Sequence, residues 1–198
     1  MKRILLYVPC LILAACGGDD KKTEANSPQS ETTALTQSKN SASFNSSFEQ
    51  VLNSYYALKD GLVASKDASI ASNVDASAKQ LQSAADSLKL DELQGDNAIK
   101  ETAKSFSQTI SSEAAALVGK KNLEEKRSAF KNISDALYTL VRTVRYDRQK
   151  MYLQHCPMAF NDTGADWLSR TSDIKNPYFG SKMLTCGEVT DSLDFSKQ

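Results

Sequence analysis

The sequence predicts an all-α protein, an up-down-up-down four-helix bundle over residues 45–150 with an irregular C-terminal cap over 151–198. Three observations lead there. Apolar residues recur at helical spacing in four stripes between Phe48 and Val144, the pattern of helices that each bury one face. Start and stop residues fall between the stripes. After Lys150 both regularities cease, and Gly, Pro, Asn and aromatic residues take over.

Residues 1–15 come first, with a basic start (Lys2, Arg3), an apolar stretch from Ile4 to Leu13 and the small pair Ala14-Ala15. That order is an export signal. Its apolar stretch is well short of the roughly 20 residues a spanning helix needs. Leu13-Ala14-Ala15-Cys16 resembles the lipobox of bacterial lipoproteins, in which the cysteine is lipidated and becomes the new N-terminus. Gly17 and Gly18 follow Cys16, with no aspartate directly after it. The resemblance therefore implies an outer-membrane lipoprotein in the bacterial envelope, facing either the periplasm or the outside. Residues 16–44 are rich in Ser, Thr, Asn, Gln, Lys and Glu and poor in large apolar residues. Such a segment cannot offset the entropy of ordering and reads as a disordered, lipidated stalk.

The first helical stripe is Phe48, Val51, Leu52, Tyr55, Leu58 and Leu62, and the second is Ile70, Val74, Leu81, Ala85 and Leu88. The third is Ile99, Ala103, Phe106, Ile110 and Leu117; the fourth runs from Leu123 through Phe130, Ile133, Leu137, Leu140 and Val141 to Val144. Gly95-Asp96 separates the second helix from the third, Gly119 suits a left-handed cap on the third, and Asn122 with Glu125 opens the fourth. Short connections make neighbouring helices antiparallel. The second helix, rich in Ala, Ser, Asp and Lys, has the weakest pattern.

Charge excludes one class of partner. The chain carries 24 basic and 24 acidic residues, and removing Lys2 and Arg3 with the signal leaves it slightly acidic. Without a basic run there is no field to gather nucleic acid. Arg142, Arg145 and Arg148 recur near the end of the fourth helix, where cations favour the helix dipole and a solvated face is expected.

Cys10 leaves with the signal and Cys16 carries lipid, so the mature thiols are Cys156 and Cys186. Beside them stand His155, the only histidine, and Met158 and Met183, two of the four methionines. Cys156 and Met158 would converge if extended, and Met183 and Cys186 if in one helical turn. Two thiols and two thioethers are a soft donor set that selects Cu(I), with His155 as an optional further ligand. The other reading is a disulfide between Cys156 and Cys186, usual for a cysteine pair in an exported protein. It would contribute about 3–4 kcal/mol in the chain-entropy model, with the methionines as ordinary packing. The residues alone leave both open. No serine elbow, phosphate loop or zinc-protease histidine pair occurs, and no enzyme is expected.

Several segments resemble a known family: Tyr56-Ala57-Leu58-Lys59-Asp60-Gly61-Leu62-Val63, Cys156-Pro157-Met158-Ala159, Gly164-Ala165-Asp166-Trp167-Leu168-Ser169, Asn176-Pro177-Tyr178-Phe179-Gly180 and Met183-Leu184-Thr185-Cys186-Gly187. The family comprises helical domains of uncharacterised function that occur alone in exported proteins and fused to adaptor subunits of copper and silver efflux pumps. The likeness runs from about Phe48 to Val189. Gly61 departs from the alanine expected there. The resemblance implies a metal-handling setting, with Cu(I) or Ag(I) held by Cys156, Met158, Met183 and Cys186 and with efflux components as partners.

The anchor is directly testable. Cys16→Ser should abolish palmitate labelling and move the protein from the membrane fraction to the soluble fraction; continued membrane retention with no label would overturn the lipobox reading.

Overall fold

The computed structural model describes residues 39–65 and 71–197, all within one compact unit. The expected signal segment 1–15, Cys16 as the expected lipidation site, the expected stalk up to residue 38 and Ile70 lie outside the described residues. The order is α1 (Ala42–Ala64), α2 (Ala71–Asp86), α3 (Asn97–Val118), α4 (Leu123–Val144), β1 (Met151–Cys156), α5 (Ala159–Asp162), β2 (Ala165–Ser169) and β3 (Glu188–Leu193). Single 3-10 turns occupy Leu90–Glu92 and Gly180–Lys182. The protein is mostly helical.

Each long helix whose start is described opens on a side-chain cap. Ser41 Oγ accepts from Phe44 N at 3.1 Å, so α1 begins at Ala42, inside the stalk expected to run to 44. Asp96 accepts from Ile99 N at 2.9 Å, and Asn122 accepts from Glu125 N at 2.8 Å. These bonds satisfy amides that a helix start leaves unpaired. Gly119 differs from expectation: its backbone is right-handed, with φ −77° and ψ −9°. The left-handed cap falls instead on Arg145, at φ 50°, after α4.

The helices pack as the stripes require, consistent with a bundle. Gly61 of α1 lies opposite Val74 near the start of α2, while Ser47 near the start of α1 accepts from Lys89 N just beyond the end of α2. These two elements are therefore antiparallel. Ser107 of α3 donates to Ala85 O of α2. Phe48 of α1 meets Tyr146 just after α4, and Tyr55 stacks on Phe130 at 5.2 Å near the start of α4. Phe48, Leu52, Tyr55, Leu58, Leu62, Val74, Leu81, Ile110, Leu117, Phe130, Ile133 and Leu137 are all fully buried. Among the described residues no helix is long and apolar enough to cross a membrane.

The cap corrects the all-α expectation. It is not irregular but built on a three-stranded antiparallel sheet in the order β2-β1-β3. Tyr152 pairs with Ser169 and Cys156 with Ala165 on one side of β1; Met151 pairs with Leu193 and His155 with Glu188 on the other, with a shift between Leu153 and Gln154. Met151, Gln154, Cys156, Trp167 and Leu168 are all fully buried although they project to both faces. A strand covered on both sides lacks the in-out alternation that reveals strands in a sequence.

Among the described residues one ion pair joins two of the long helices. Lys126 of α4 is almost fully buried, lies 2.5 Å from Asp75 of α2 and donates to Leu117 O at the end of α3. Three helices thus meet at one ammonium, and the weakly patterned α2 has a polar fastening its apolar stripe does not show. Removing one partner of a buried pair strands the other charge. Asp75→Ala should therefore cost about 2–3 kcal/mol in denaturant unfolding, below the roughly 3–5 of a fully enclosed pair because Leu117 O still holds the ammonium. Lys126→Met, which leaves a half-exposed carboxylate free to hydrate, should cost about 1 kcal/mol or less. The reverse order would show that the pair is not the fastening.

Candidate functional site

Cys156 is the last residue of β1, the central strand, and is fully buried. Its cross-strand partner is Ala165, and Trp167 pairs with Gln154, so Cys156, Gln154 and Trp167 share a face. Cys186 arrives from the connection between β2 and β3 and is half-buried. The two Sγ atoms lie 3.2 Å apart, and both are free thiols. Two cysteines 30 residues apart are brought together by the sheet and by the turn that enters β3.

That turn depends on Gly187 at φ 136°. A Cβ there would fall 2.6 Å from His155 O and 3.0 Å from the Trp167 ring, so no other residue lets the chain pass from Cys186 into β3 this closely. The connection is pinned at Gly180, at φ 57°, whose missing Cβ would lie 3.0 Å from Val63 O and from the Arg127 guanidinium. Arg127 Nε donates to Pro177 O at 3.0 Å. Tyr178 donates to Asp166 O on β2 and packs edge-on to Trp167 and Phe160.

Ionisation is disfavoured at Cys186. The hydrogen bond to Cys156, then burial, then the charge of Cys156 push the Cys186 thiol above its ordinary value. Thiolate is the nucleophilic form, so the shift makes Cys186 a weaker nucleophile at neutral pH. The pair can oxidise to a disulfide or lose its protons to a thiophilic metal.

The other candidates divide. His155 is adjacent to Cys156 in a strand and therefore points to the opposite face. Its Nδ1 lies 2.7 Å from Asp166 Oδ1, so the structure does not bring it to the sulfur pair. Met158 lies past the end of the strand, with φ −85° and ψ −7°, so the extended geometry expected to align it with Cys156 does not continue. It is 47% exposed. Met183 shares a turn with Cys186, whose N–H donates to Met183 O at 3.1 Å, but Met183 itself, at φ −145° and ψ 60°, is not in the helical conformation the three-residue spacing assumed. Among the described residues no three His, Cys, Asp or Glu side chains converge as metal ligands; the donor set at issue is sulfur. Leu184 and Val189, each 40% exposed, lie with Met158 near the cysteines in sequence.

Sequence reasoning gave Asn176 no role outside a family motif and took Tyr178 only as one of the residues packing the cap. Asn-Pro before an aromatic pair and glycine is a turn signal in its own right, and it marks the segment that carries Cys186. Tyr55 looked like one more apolar position in a stripe. Its hydroxyl in fact accepts from Leu168 N at 3.0 Å and bonds Ser134 at 2.8 Å, and burial pushes its pKa well above the ordinary value.

Fold and site together define a mostly helical protein whose C-terminal sheet presents a dithiol. Residues 51–149, half of the chain, match the family described as a protein of unknown function (DUF3347), and the chain belongs to that family. The match covers most of α1, all of α2, α3 and α4, and ends before Cys156. No curated protein and no solved structure matches the chain.

The placement of the thiols has a chemical readout. In the reduced protein, iodoacetamide should modify Cys186 well before Cys156. Because the Cys186 thiol titrates above its ordinary value, its alkylation rate should still be rising past about pH 9, where an unperturbed cysteine of pKa about 8.5 is levelling off. Peptide mass mapping across a pH series checks both. Equal rates for the two cysteines would contradict the burial of Cys156.

Proposed function

We propose that this is a non-enzymatic, lipid-anchored envelope protein whose C-terminal dithiol binds a soft metal ion, Cu(I) or Ag(I), as cargo. The observation that carries the reading is the 3.2 Å separation of Cys156 and Cys186. Metal–thiolate bonds of about 2.3 Å, as for zinc, put two ligand sulfurs about 3.8 Å apart in tetrahedral geometry and about 4.6 Å apart in linear geometry. The pair needs to open by about 0.6–1.4 Å, a shift that falls to Cys186 on its half-buried connection and not to Cys156 in the central strand.

Thiolate and thioether donors favour Cu(I) over the oxygen-seeking cations. Met183, in the same turn as Cys186, is the natural third donor. Met158 would have to swing in from solvent, and His155 is not required. Binding displaces thiol protons, so affinity rises with pH through the range in which Cys186 titrates. Outer-membrane attachment and delivery to heavy-metal efflux components complete the proposal; they are supported by the lipobox and family resemblances.

The same distance favours a second reading. Closing 3.2 Å to the roughly 2.05 Å of a disulfide takes about 1.1 Å, so the dithiol also suits a reversible staple in a module with no metal.

Cu(I) titration of the mature protein in detergent, anaerobic and reduced, against a competing chelator separates the two readings. Trp167, the only tryptophan, shares the face of Cys156 and reports binding by fluorescence. One tight equivalent is expected, lost in Cys156→Ser and in Cys186→Ser. Uptake no greater than in those variants would sink the metal reading. A non-reduced mass two hydrogens below the reduced mass would then establish the staple.

A further inference from the structure

Cys186 is carried by a long connection between β2 and β3, with one 3-10 turn as its only regular structure. The pairing of Glu188 with His155 fixes the chain two residues after Cys186, but on the other side a loose connection of that length would leave the thiol free to turn away from Cys156. Loop-closure entropy would lower its effective concentration at the partner sulfur. Something must hold it there, and the hydrogen bonds converge on one residue.

Asn176 is fully buried. Its N–H donates to Leu184 O at 2.8 Å, and its own carbonyl accepts from Gly180 N at 3.0 Å. Its Oδ1 accepts from Tyr178 N at 2.8 Å and Phe179 N at 3.1 Å. Its Nδ2 donates to the carbonyl of Cys186 itself at 2.8 Å. One side chain thus folds the start of the segment into a turn with its oxygen and ties the end of the segment to that turn with its nitrogen. Only a primary amide offers both an acceptor and a donor at this reach.

We propose that Asn176 is the positioning residue of the dithiol, holding Cys186 opposite Cys156 for whichever sulfur chemistry the pair performs. The proposal rests on the dithiol being the functional site, as argued above, but applies equally to metal capture and to disulfide formation. Asn176 touches neither sulfur. It acts by keeping the loop's entropy out of the reaction.

The disulfide equilibrium measures this without metal. Oxidised glutathione takes two electrons and two protons from the pair, giving the protein disulfide and two reduced glutathiones, so the equilibrium constant reports the effective concentration of one thiol at the other. Asn176→Asp keeps the acceptor oxygen and loses the donor to Cys186. Arg127→Met is the comparison, since Arg127 holds the same segment through Pro177 O without contacting Cys186.

In glutathione buffers, with the full mature chain, Asn176→Asp should lower the constant about tenfold, which raises the potential by about 30 mV for a two-electron couple. Cu(I) affinity should fall by a similar factor. Arg127→Met should lower Tm and change either quantity by less than about twofold. An unchanged constant in Asn176→Asp, or an equal shift in Arg127→Met, would overturn the proposal. If Asn176→Asp does not fold, Asn176→Ser, which also lacks the amide donor, is read by the same criteria. A shifted disulfide constant in a protein whose wild type takes up no Cu(I) would support the positioning role and strike only the metal reading.

Discussion

A small sheet laid against helices has one edge that water cannot reach, and the polar groups of that edge must find partners within the protein. Here the edge is β2. The N–H of Leu168 is taken by the hydroxyl of Tyr55 from α1, and the carbonyl of Asp166 by the hydroxyl of Tyr178 from the cap. Both tyrosines are held in the neutral form by burial. Tyr55 is further bonded to Ser134 of α4 and stacked on Phe130. Two phenols thus dock the sheet on the bundle by satisfying it. With β2 fixed, β1 is fixed beside it, and with β1 the buried sulfur of Cys156.

This junction explains why bundle and site were unequally legible. The helices announce themselves because each has one apolar face: Phe48 to Leu62 and Phe130 to Val144 are buried where periodicity puts them. The strands stay hidden because Gln154 and Cys156 are enclosed on one face and Met151 and Leu168 on the other, which erases alternation. The cysteine pairing was legible from composition, since Cys156 and Cys186 are the two cysteines that lie outside the expected signal and its lipobox. The role of His155 was not. Its identity as the only histidine suggests chemistry, whereas strand geometry turns it to Asp166. Gly119 shows the reverse error: glycine permits a left-handed cap but does not impose one, and Arg145 adopts that conformation after α4.

The cap also holds local strain beside the site. Phe160, Asn161 and Asp162 all have positive φ, from 54° to 63°, at a cost of roughly 1–2 kcal/mol for each residue. The Phe160 ring packs against Tyr178, and Gly164 N closes onto Ala159 O. Tyr178 therefore serves two ends at once, capping β2 and bracing the turn that leads away from Cys156. A larger helical body is what makes such a strained, sulfur-bearing corner affordable.

The ladder between β1 and β3 pairs His155 with Glu188, one residue before the first cysteine and two after the second. The ring that sulfur would close is therefore already closed by backbone. The backbone bonds of that ladder do not pass through the sulfurs, so a change of an ångström between Cys156 and Cys186 is not one the strands have to make. The state of the pair is then carried by Cys186 and its connection, the one side of the corner that is not in a strand.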